Sequence, residues 1–278
     1  MPPVALPGST DVATLGQGTW RIGEGQRPPS QEAAAIRLGI ELGLTVIDTA
    51  ELYGDGGAEL VVGAAIAGLR ERVFLVTKVS PHNASRTGVP EACARSQQRL
   101  GTDVIDLYLL HWRGDTPLGA TVAAFEKLKA EGRIRHWGVS NFDVDDMEEL
   151  MAVPGGELCA ANQVLYNPEH RGIEFELLPW HAAQGIPVMA YSPLGQGGRL
   201  LRSGTLQAVA GRRGITPAQV AIAWSLRHPG MISIPKSGDP AHIAQNAAAA
   251  AVTLTAEDLE EIDRAYHPPT RKHPLAML

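Results

Sequence analysis

Short apolar runs of strand length, rich in β-branched residues, recur along the chain. They are TVID (45–48), VFLVT (73–77), VIDLYLL (104–110), HWGVS (136–140), CAANQVLY (159–166), PVMAYS (187–192), MISIP (231–235) and, more weakly, AAVTL (250–254). Each is apolar on both faces instead of alternating, the pattern of a strand buried on both sides of a sheet. Between them lie stretches with apolar positions at helical spacing, at 30–43, 57–71, 89–101, 120–134, 143–153, 175–185 and 216–228. Ser30, Asp143 and Thr216 stand where N-caps belong, with Pro217 at the first helical position, and Gly43, Gly101, Gly132 and Gly185 stand where helices stop.

Alternating strands and helices with near-continuous apolar strands predict a parallel sheet covered on both faces. Eight repeats in 278 residues suit a single α/β domain, residues 1–278, built as a (β/α)8 TIM barrel, better than an open doubly wound sheet. The opening residues, with turn-forming Pro7-Gly8 between two extended stretches, predict a β-hairpin plugging one end of the barrel.

Composition changes this picture little. A net charge of -6 spread along the chain offers no basic footprint for nucleic acid. No apolar run reaches the roughly 18 residues a membrane span needs, and MPPVALPGSTDV has no signal-peptide pattern, so the expectation is a cytoplasmic monomer without a membrane or nucleic-acid partner. The two cysteines, Cys93 and Cys159, are too few for a disulfide framework and are expected to be reduced.

In a barrel of this kind the reactive face is where strands end, so the polar residues just after each run should converge. They are Asp48 with Tyr53 five residues on, Lys78, His111, Ser140 with Asn141, Asn162 with Gln163, Tyr191 with Ser192, and Lys236 with Ser237. Any one of these is an ordinary strand terminus. An acid, a phenol, a lysine and a histidine together are not, because burying them costs stability unless they pair. Tyrosine, with an ordinary pKa near ~10, is a proton donor at neutral pH, and a cation such as Lys78 would improve it by lowering that value. Asp48 would hold Lys78 charged, and His111 would polarise a carbonyl oxygen. The set suits protonation of an oxygen that is gaining negative charge, as carbonyl reduction requires. A metal hydrolase would want His or carboxylate ligand spacings that the chain lacks, and a Schiff-base lyase at Lys78 leaves the other groups unexplained. Acyl transfer has no G-x-S-x-G to rest on.

In order along the chain, GQGTW (16–20), IDTAELYG (47–54), FLVTKV (74–79), DLYLLHW (106–112), WGVSNF (137–142), NQVLYN (162–167), AYSPLGQG (190–197) and IPKS (234–237) resemble the aldo-keto reductases, in particular bacterial members that reduce methylglyoxal and other small aldehydes. The resemblance runs nearly the whole length. It implies a nicotinamide cofactor bound without a Rossmann motif, with Tyr53 as general acid, Lys78 and Asp48 tuning it, and His111 orienting the carbonyl. It further implies Ser140, Asn141 and Gln163 on the carboxamide, Tyr191 stacked on the nicotinamide, and Ser192, Leu194 and Gln196 near the pyrophosphate. Thr19, Trp20 and Asp48 would border the cofactor, and Trp20 and Trp112 would line the substrate pocket with Tyr53 and His111.

At the adenosine end the chain departs from the family. Lys236 and Ser237 are present, but where many members have an arginine, a glutamate and an asparagine this one has His242, Gln245 and Asn246. A neutral histidine lacks the charged planar fork that suits a 2′-phosphate, so NADPH is expected with weakened discrimination against NADH. The short segment after Trp112 and the short tail after Tyr266 predict an open mouth suited to methylglyoxal-like dicarbonyls and aromatic aldehydes. The alternative is an NADP-binding regulatory or sensor subunit with little turnover.

Overall fold

A computed structural model describes residues 2–8 and 10–278. Strands β1 (Val4–Leu6) and β2 (Thr10–Val12) form the expected hairpin, antiparallel with Val4 opposite Val12. The turn between them includes Gly8 at φ 90, a left-handed conformation that glycine adopts without penalty.

Eight parallel strands follow: β3 (Gly16–Gly18), β4 (Val46–Asp48), β5 (Phe74–Val79), β6 (Ile105–Leu110), β7 (Ile134–Ser140), β8 (Asn162–Leu165), β9 (Val188–Tyr191) and β10 (Met231–Ser233). Neighbours in sequence are neighbours in the sheet. The ring is joined by a parallel bridge between Leu15 and Ser233, with Ser233 N–H donating to Thr14 O at 2.8 Å and Gly18 N–H to Pro235 O at 3.1 Å. This is the (β/α)8 barrel, with helices α1 (Pro29–Glu41), α2 (Gly57–Ile66), α3 (Gly88–Leu100), α4 (Leu118–Ala130), α5 (Val144–Ala152), α6 (Leu177–Gln184), α7 (Gly204–Arg213), α8 (Pro217–Ser225), α9 (Pro240–Ala248) and α10 (Ala256–Ala265).

Seven of the anticipated apolar runs contain barrel strands, whereas AAVTL does not: residues 249–251 form a short 3-10 turn. The remaining strand is Gly16–Gly18, which carries no apolar signal because its requirements are steric and polar. A Cβ at Gly16 would sit 2.5 Å from Val46 O, and one at Gly18 2.9 Å from Ile234 O. Buried Gln17 satisfies its amide by donating to Ile36 O and Leu44 O, both at 3.1 Å. Gly39 of α1 leaves room for it, since a Cβ there would lie 2.2 Å from the Gln17 amide. Helix α1 also starts earlier than expected: Pro28 is its N-cap and Pro29 its first residue, so Ser30 lies inside the helix. Asp143 and Thr216 do cap their helices, each in a reciprocal capping box.

Inside the barrel, Val46, Val76, Leu107, Leu109, Met189 and Ile232 form one core with Val4, Leu6 and Val12 of the hairpin. Each such side chain contributes about 1.5–3 kcal/mol on burial. The hairpin sits at the end where strands begin, as the contact of Thr10 Oγ1 with His136 Nε2 near the start of β7 shows (3.0 Å). Chemistry is left to the opposite end. No helix among the described residues is long and apolar enough to cross a membrane.

Candidate active site

At the strand-end face, Asp48, the last residue of β4, is 2 % exposed and has both carboxylate oxygens engaged. Lys78 Nζ donates to Oδ2 at 2.8 Å, and Gln163 Nε2 of β8 donates to Oδ1 at 2.7 Å from across the barrel. Lys78 has three N–H donors and spends all of them, the others going to Thr49 O at 2.9 Å and Tyr53 Oη at 3.2 Å. Because the ammonium donates to the phenol oxygen, the Tyr53 proton points elsewhere, and it has no protein acceptor among the described residues.

Tyr53 reaches this place by leaving the strand. Glu51 anchors the connection, its Oε1 accepting from Ser80 N at 2.8 Å and Asn83 Nδ2 at 2.9 Å beyond β5. The chain then turns through Gly54, Asp55 and Gly56, all at positive φ. The His111 ring, just past β6, meets Tyr53 edge-on at 5.7 Å between centroids and lies 4.9 Å from the Trp112 ring. The Nδ1 of His111 is buried without a partner.

Electrostatics assign a state to each group. Burial pushes the Tyr53 phenol above its ordinary range, outweighing the lowering by Lys78 that the sequence led us to expect. Burial alone would lower Lys78, but the Asp48 carboxylate and the Tyr53 oxygen overcome it and hold the amine above its usual range. His111 is pushed down to about 3 by burial and by the charge of Lys78, so its imidazole is neutral at neutral pH. The set therefore holds a protonated phenol, an ammonium and a neutral imidazole.

These groups border a cleft of about 770 Å³. Its wall includes Tyr53, His111, Trp112, Asp48, Asn141, Gln163 and Tyr191, which the contacts above and below link to one another, and Lys236, Ser237, His242, Gln245 and Asn246 from the segment after β10, with Gly18, Thr19, Trp20, Ser192, Leu194 and Gln196 also on it. Lys78 and Ser140 lie beneath it. Ser140 Oγ donates to Gln163 O at 2.8 Å and accepts from Asn141 Nδ2 at 3.2 Å, so it braces β8 from below the wall. Asn162, also noted as a strand tip, faces away and donates to Phe142 O.

Five non-glycine residues among those described have positive φ, namely Arg21, Asp55, Asn141, Ser192 and Gln196. Four line the cleft, and Asp55 lies in the turn that carries Tyr53. Such backbone is unfavourable by about 1–3 kcal/mol per residue and gathers where a ligand must be held.

Sequence reading missed part of the wall. Arg21, Gln26 and Arg27 come from the loop between β3 and α1, and Met277 and Leu278 from the tail. Neither segment has periodicity to read; the clustered polar residues of the loop were its only signal. The tail also corrects the open mouth. Lys272 ties it to Glu176 at 3.2 Å, Asp145 at 3.6 Å and Asp143 at 3.8 Å, and the chain beyond returns to the cleft beside Tyr191. Its course is set by these tertiary contacts, which length alone does not reveal.

A cleft of this volume lined by both amides and cations is suited to a nicotinamide dinucleotide. Asn141 spends both amide hydrogens on His111 O and Ser140 Oγ, and its Oδ1 accepts from Tyr191 Oη at 2.9 Å. Gln163 spends a hydrogen on Asp48. The Gln163 amide also makes a long contact to Met189 Sδ at 4.0 Å, so what remains on the two side chains is mainly acceptor capacity, Gln163 Oε1 and a second lone pair of Asn141 Oδ1, which matches the N–H donors of a carboxamide. Lys236 is half-buried, and its pKa is lowered by burial and by the charges of Arg27 and Arg21, so an anion there would meet an electropositive wall.

Fold and site together define a carbonyl-reducing barrel enzyme, and the aldo/keto reductase family model matches residues 14–267; the chain belongs to that family. It is 51 % identical over 279 residues to methylglyoxal reductase YeaE of Escherichia coli (strain K12), covering 99 % of this chain and 98 % of that protein. It is 34 % identical to a glyoxal reductase of Bacillus subtilis, over 94 % of this chain and 91 % of the relative. Among solved structures, an aldo/keto reductase from Klebsiella pneumoniae in complex with NADP and acetate superposes with a TM-score of 0.97 at 52 % identity, covering 99 % of each chain. An NADPH complex from the same organism gives the same TM-score and identity, over 100 % of this chain and 99 % of that one.

Proposed function

We propose that this enzyme reduces small aldehydes and dicarbonyls such as methylglyoxal, and aromatic aldehydes, with NADPH, and that Tyr53 is the general acid. The observation that carries the reading is the direction of the Lys78–Tyr53 hydrogen bond, which leaves the phenol proton free to be given to a ligand. The E. coli and B. subtilis relatives support the substrate class, and the K. pneumoniae complexes support the cofactor.

A carbonyl oxygen seated between Tyr53 and His111 would meet two neutral donors, and both strengthen as negative charge develops on it. The Tyr53 proton passes to that oxygen, and Lys78 stabilises the phenolate left behind. Asp48 and Gln163 act on Lys78, not on substrate: they fix the carboxylate that orients it. When bound, the nicotinamide supplies the hydride that reduces the carbonyl carbon. Asn141 and Gln163 would hold its carboxamide and Tyr191 its ring; Ser192, Leu194 and Gln196 would border the pyrophosphate, with Thr19 and Trp20 alongside. Lys236, Ser237, His242, Gln245 and Asn246 would hold the adenosine end. Trp20, Trp112 and the returning tail restrict the mouth, which favours compact substrates. We read residues 1–278 as one domain, working as a cytoplasmic monomer.

Spectrophotometric NADPH oxidation with methylglyoxal, nitrobenzaldehyde and a ketosteroid tests this. Turnover of the first two is expected; a marked preference for the ketosteroid, or NADP binding with no turnover of any aldehyde, would overturn it, the latter in favour of a sensor.

A further inference from the structure

We propose that Arg27, on the loop between β3 and α1, reads the 2′-phosphate of the nucleotide and sets the preference for the phosphorylated cofactor. The proposal rests on the function proposed above. Position 242, where many relatives are expected to carry an arginine, holds an exposed histidine, and its backbone N–H is already committed to the Asp239 cap of α9. Lys236 by itself is a single half-buried point charge. The planar fork that suits a phosphate must come from elsewhere if it is present at all.

Arg27 is placed to supply it. Its side chain runs over Gly238, where an added Cβ would lie 3.4 Å from both its Cδ and its Nε. The guanidinium thus lies by the segment that carries Lys236, Ser237 and Asp239, and Arg27 lines the same cleft as they do. The loop that carries it is tethered at both ends. Ile22 is 1 % exposed, Gly23 N–H donates to Glu32 Oε2 at 2.9 Å, and Pro28 and Pro29 start α1 immediately after Arg27. A residue before proline is held to extended backbone, which restricts how Arg27 can approach the cleft.

Its hydrogen-bonding capacity is available. Among the described residues, the sole acidic side chain paired with it is Asp239, at 4.0 Å, longer than a hydrogen bond and with both groups substantially exposed (45 % and 39 %). Asp239 in turn spends Oδ1 on Ala241 N and His242 N. Arg21 adds a second cation nearby, while Glu24 and Glu32 offset part of the charge at Lys236. A neutral 2′-hydroxyl makes no comparable demand on a guanidinium, so the effect of Arg27 should be confined to the phosphorylated nucleotide.

Dissociation constants of NADP+ and NAD+ for wild type, Arg27→Ala, Arg27→Lys and the double variant Arg27→Ala with His242→Arg, measured by calorimetry, test this. Loss of one charge-assisted contact predicts that Arg27→Ala weakens NADP+ binding about tenfold or more and NAD+ binding less than about twofold. Arg27→Lys should recover part of the loss, and adding His242→Arg should recover most of it. Retained NAD+ binding reports an intact fold. An unchanged ratio of the two constants in Arg27→Ala, or equal losses for both nucleotides, overturns the role of Arg27 while leaving the enzyme reading intact. A wild-type protein that binds neither nucleotide overturns both.

Discussion

The two ends of the cleft are built on opposite principles. At the tetrad end, Lys78 is fully buried, Asp48 nearly so, and every donor of the lysine and both oxygens of the acid have a partner within 3.2 Å. Around Lys236 and Ser237, His242 is exposed and the Arg27–Asp239 pair is half-exposed at 4.0 Å. Burial makes charge interactions strong and rigid, as a reaction needs when charge must be met without reorganisation. Exposure makes them weak and adjustable, which suits the cofactor discrimination proposed above for Arg27. Substitutions at the first end should therefore be large and should couple activity to stability, while those at the other should be small and selective.

The largest effect is expected from Tyr53→Phe, which removes the proton and leaves the packing. NADPH oxidation with methylglyoxal should fall by about 10²–10⁴-fold, the range of general acid catalysis, while NADP+ affinity stays within about twofold. Equal loss of binding and turnover would mean that the ring positions the cofactor instead. Since the protonated phenol is the donor and its pKa is raised by burial, wild-type turnover should persist into alkaline pH and fall as pH rises through that value.

Lys78→Met comes next and should damage both properties at once. It leaves the Asp48 carboxylate buried with Gln163 alone, which is expected to destabilise the fold by about 3–5 kcal/mol. Adding Asp48→Asn should recover much of the thermal midpoint and none of the turnover. If the double variant melts no higher than the single one, the pair is not the source of the stability loss. A smaller effect follows from Gln163→Leu, which strips one hydrogen bond from Asp48. About 1–3 kcal/mol of stability and a drop in kcat larger than the rise in KM are expected, since the amide acts through Lys78.

Acid should expose the same contrast. His111 is held at about 3 and His181, buried behind β8, at about 4, both by burial, against an ordinary 6.5. Between those values the unfolded chain binds more protons than the folded one, so stability is full above about 6.5 and is lost as pH falls toward 3. His111→Gln should flatten part of this slope in denaturant titrations and His181→Gln a further part, while His136 and His228, also lowered by burial, should keep the rest.

The legibility of the molecule follows the same division between buried and exposed. Asp48, Lys78 and His111 could be read because each ends an apolar run, and buried strands write their termini plainly. Tyr53 could not be placed by periodicity, as it lies off the strand on a turn with the Glu51 anchor and three successive positive-φ residues; its nearness to Asp48 in sequence and its chemistry singled it out. Strand β3 was hidden because a Gly-Gln-Gly strand is selected by close backbone approach and a buried amide, and neither leaves an apolar signature. Ser140, which the resemblance places at the carboxamide, is 1 % exposed and bonded to Gln163 O and Asn141 Nδ2, partners that a sequence alone does not reveal. Arg27 and the tail were missed for a different reason: their places depend on partners far away in sequence, Gly238 for one and Glu176 for the other.

The tail supplies the mildest test. Lys272 meets three carboxylates, yet it is 39 % exposed, and surface pairs of this kind contribute little and weaken with salt. Leu275 is also packed against the core, so the tail should stay near the cleft without the lysine. Lys272→Ala is therefore expected to shift KM for methylglyoxal by less than about threefold, with kcat and melting temperature nearly unchanged. Raising the ionic strength should mimic it in wild type and do nothing further in the variant. A large change in kcat would show that the tail is coupled to the buried end, and the separation between a rigid reactive end and an adjustable rim would have to be abandoned.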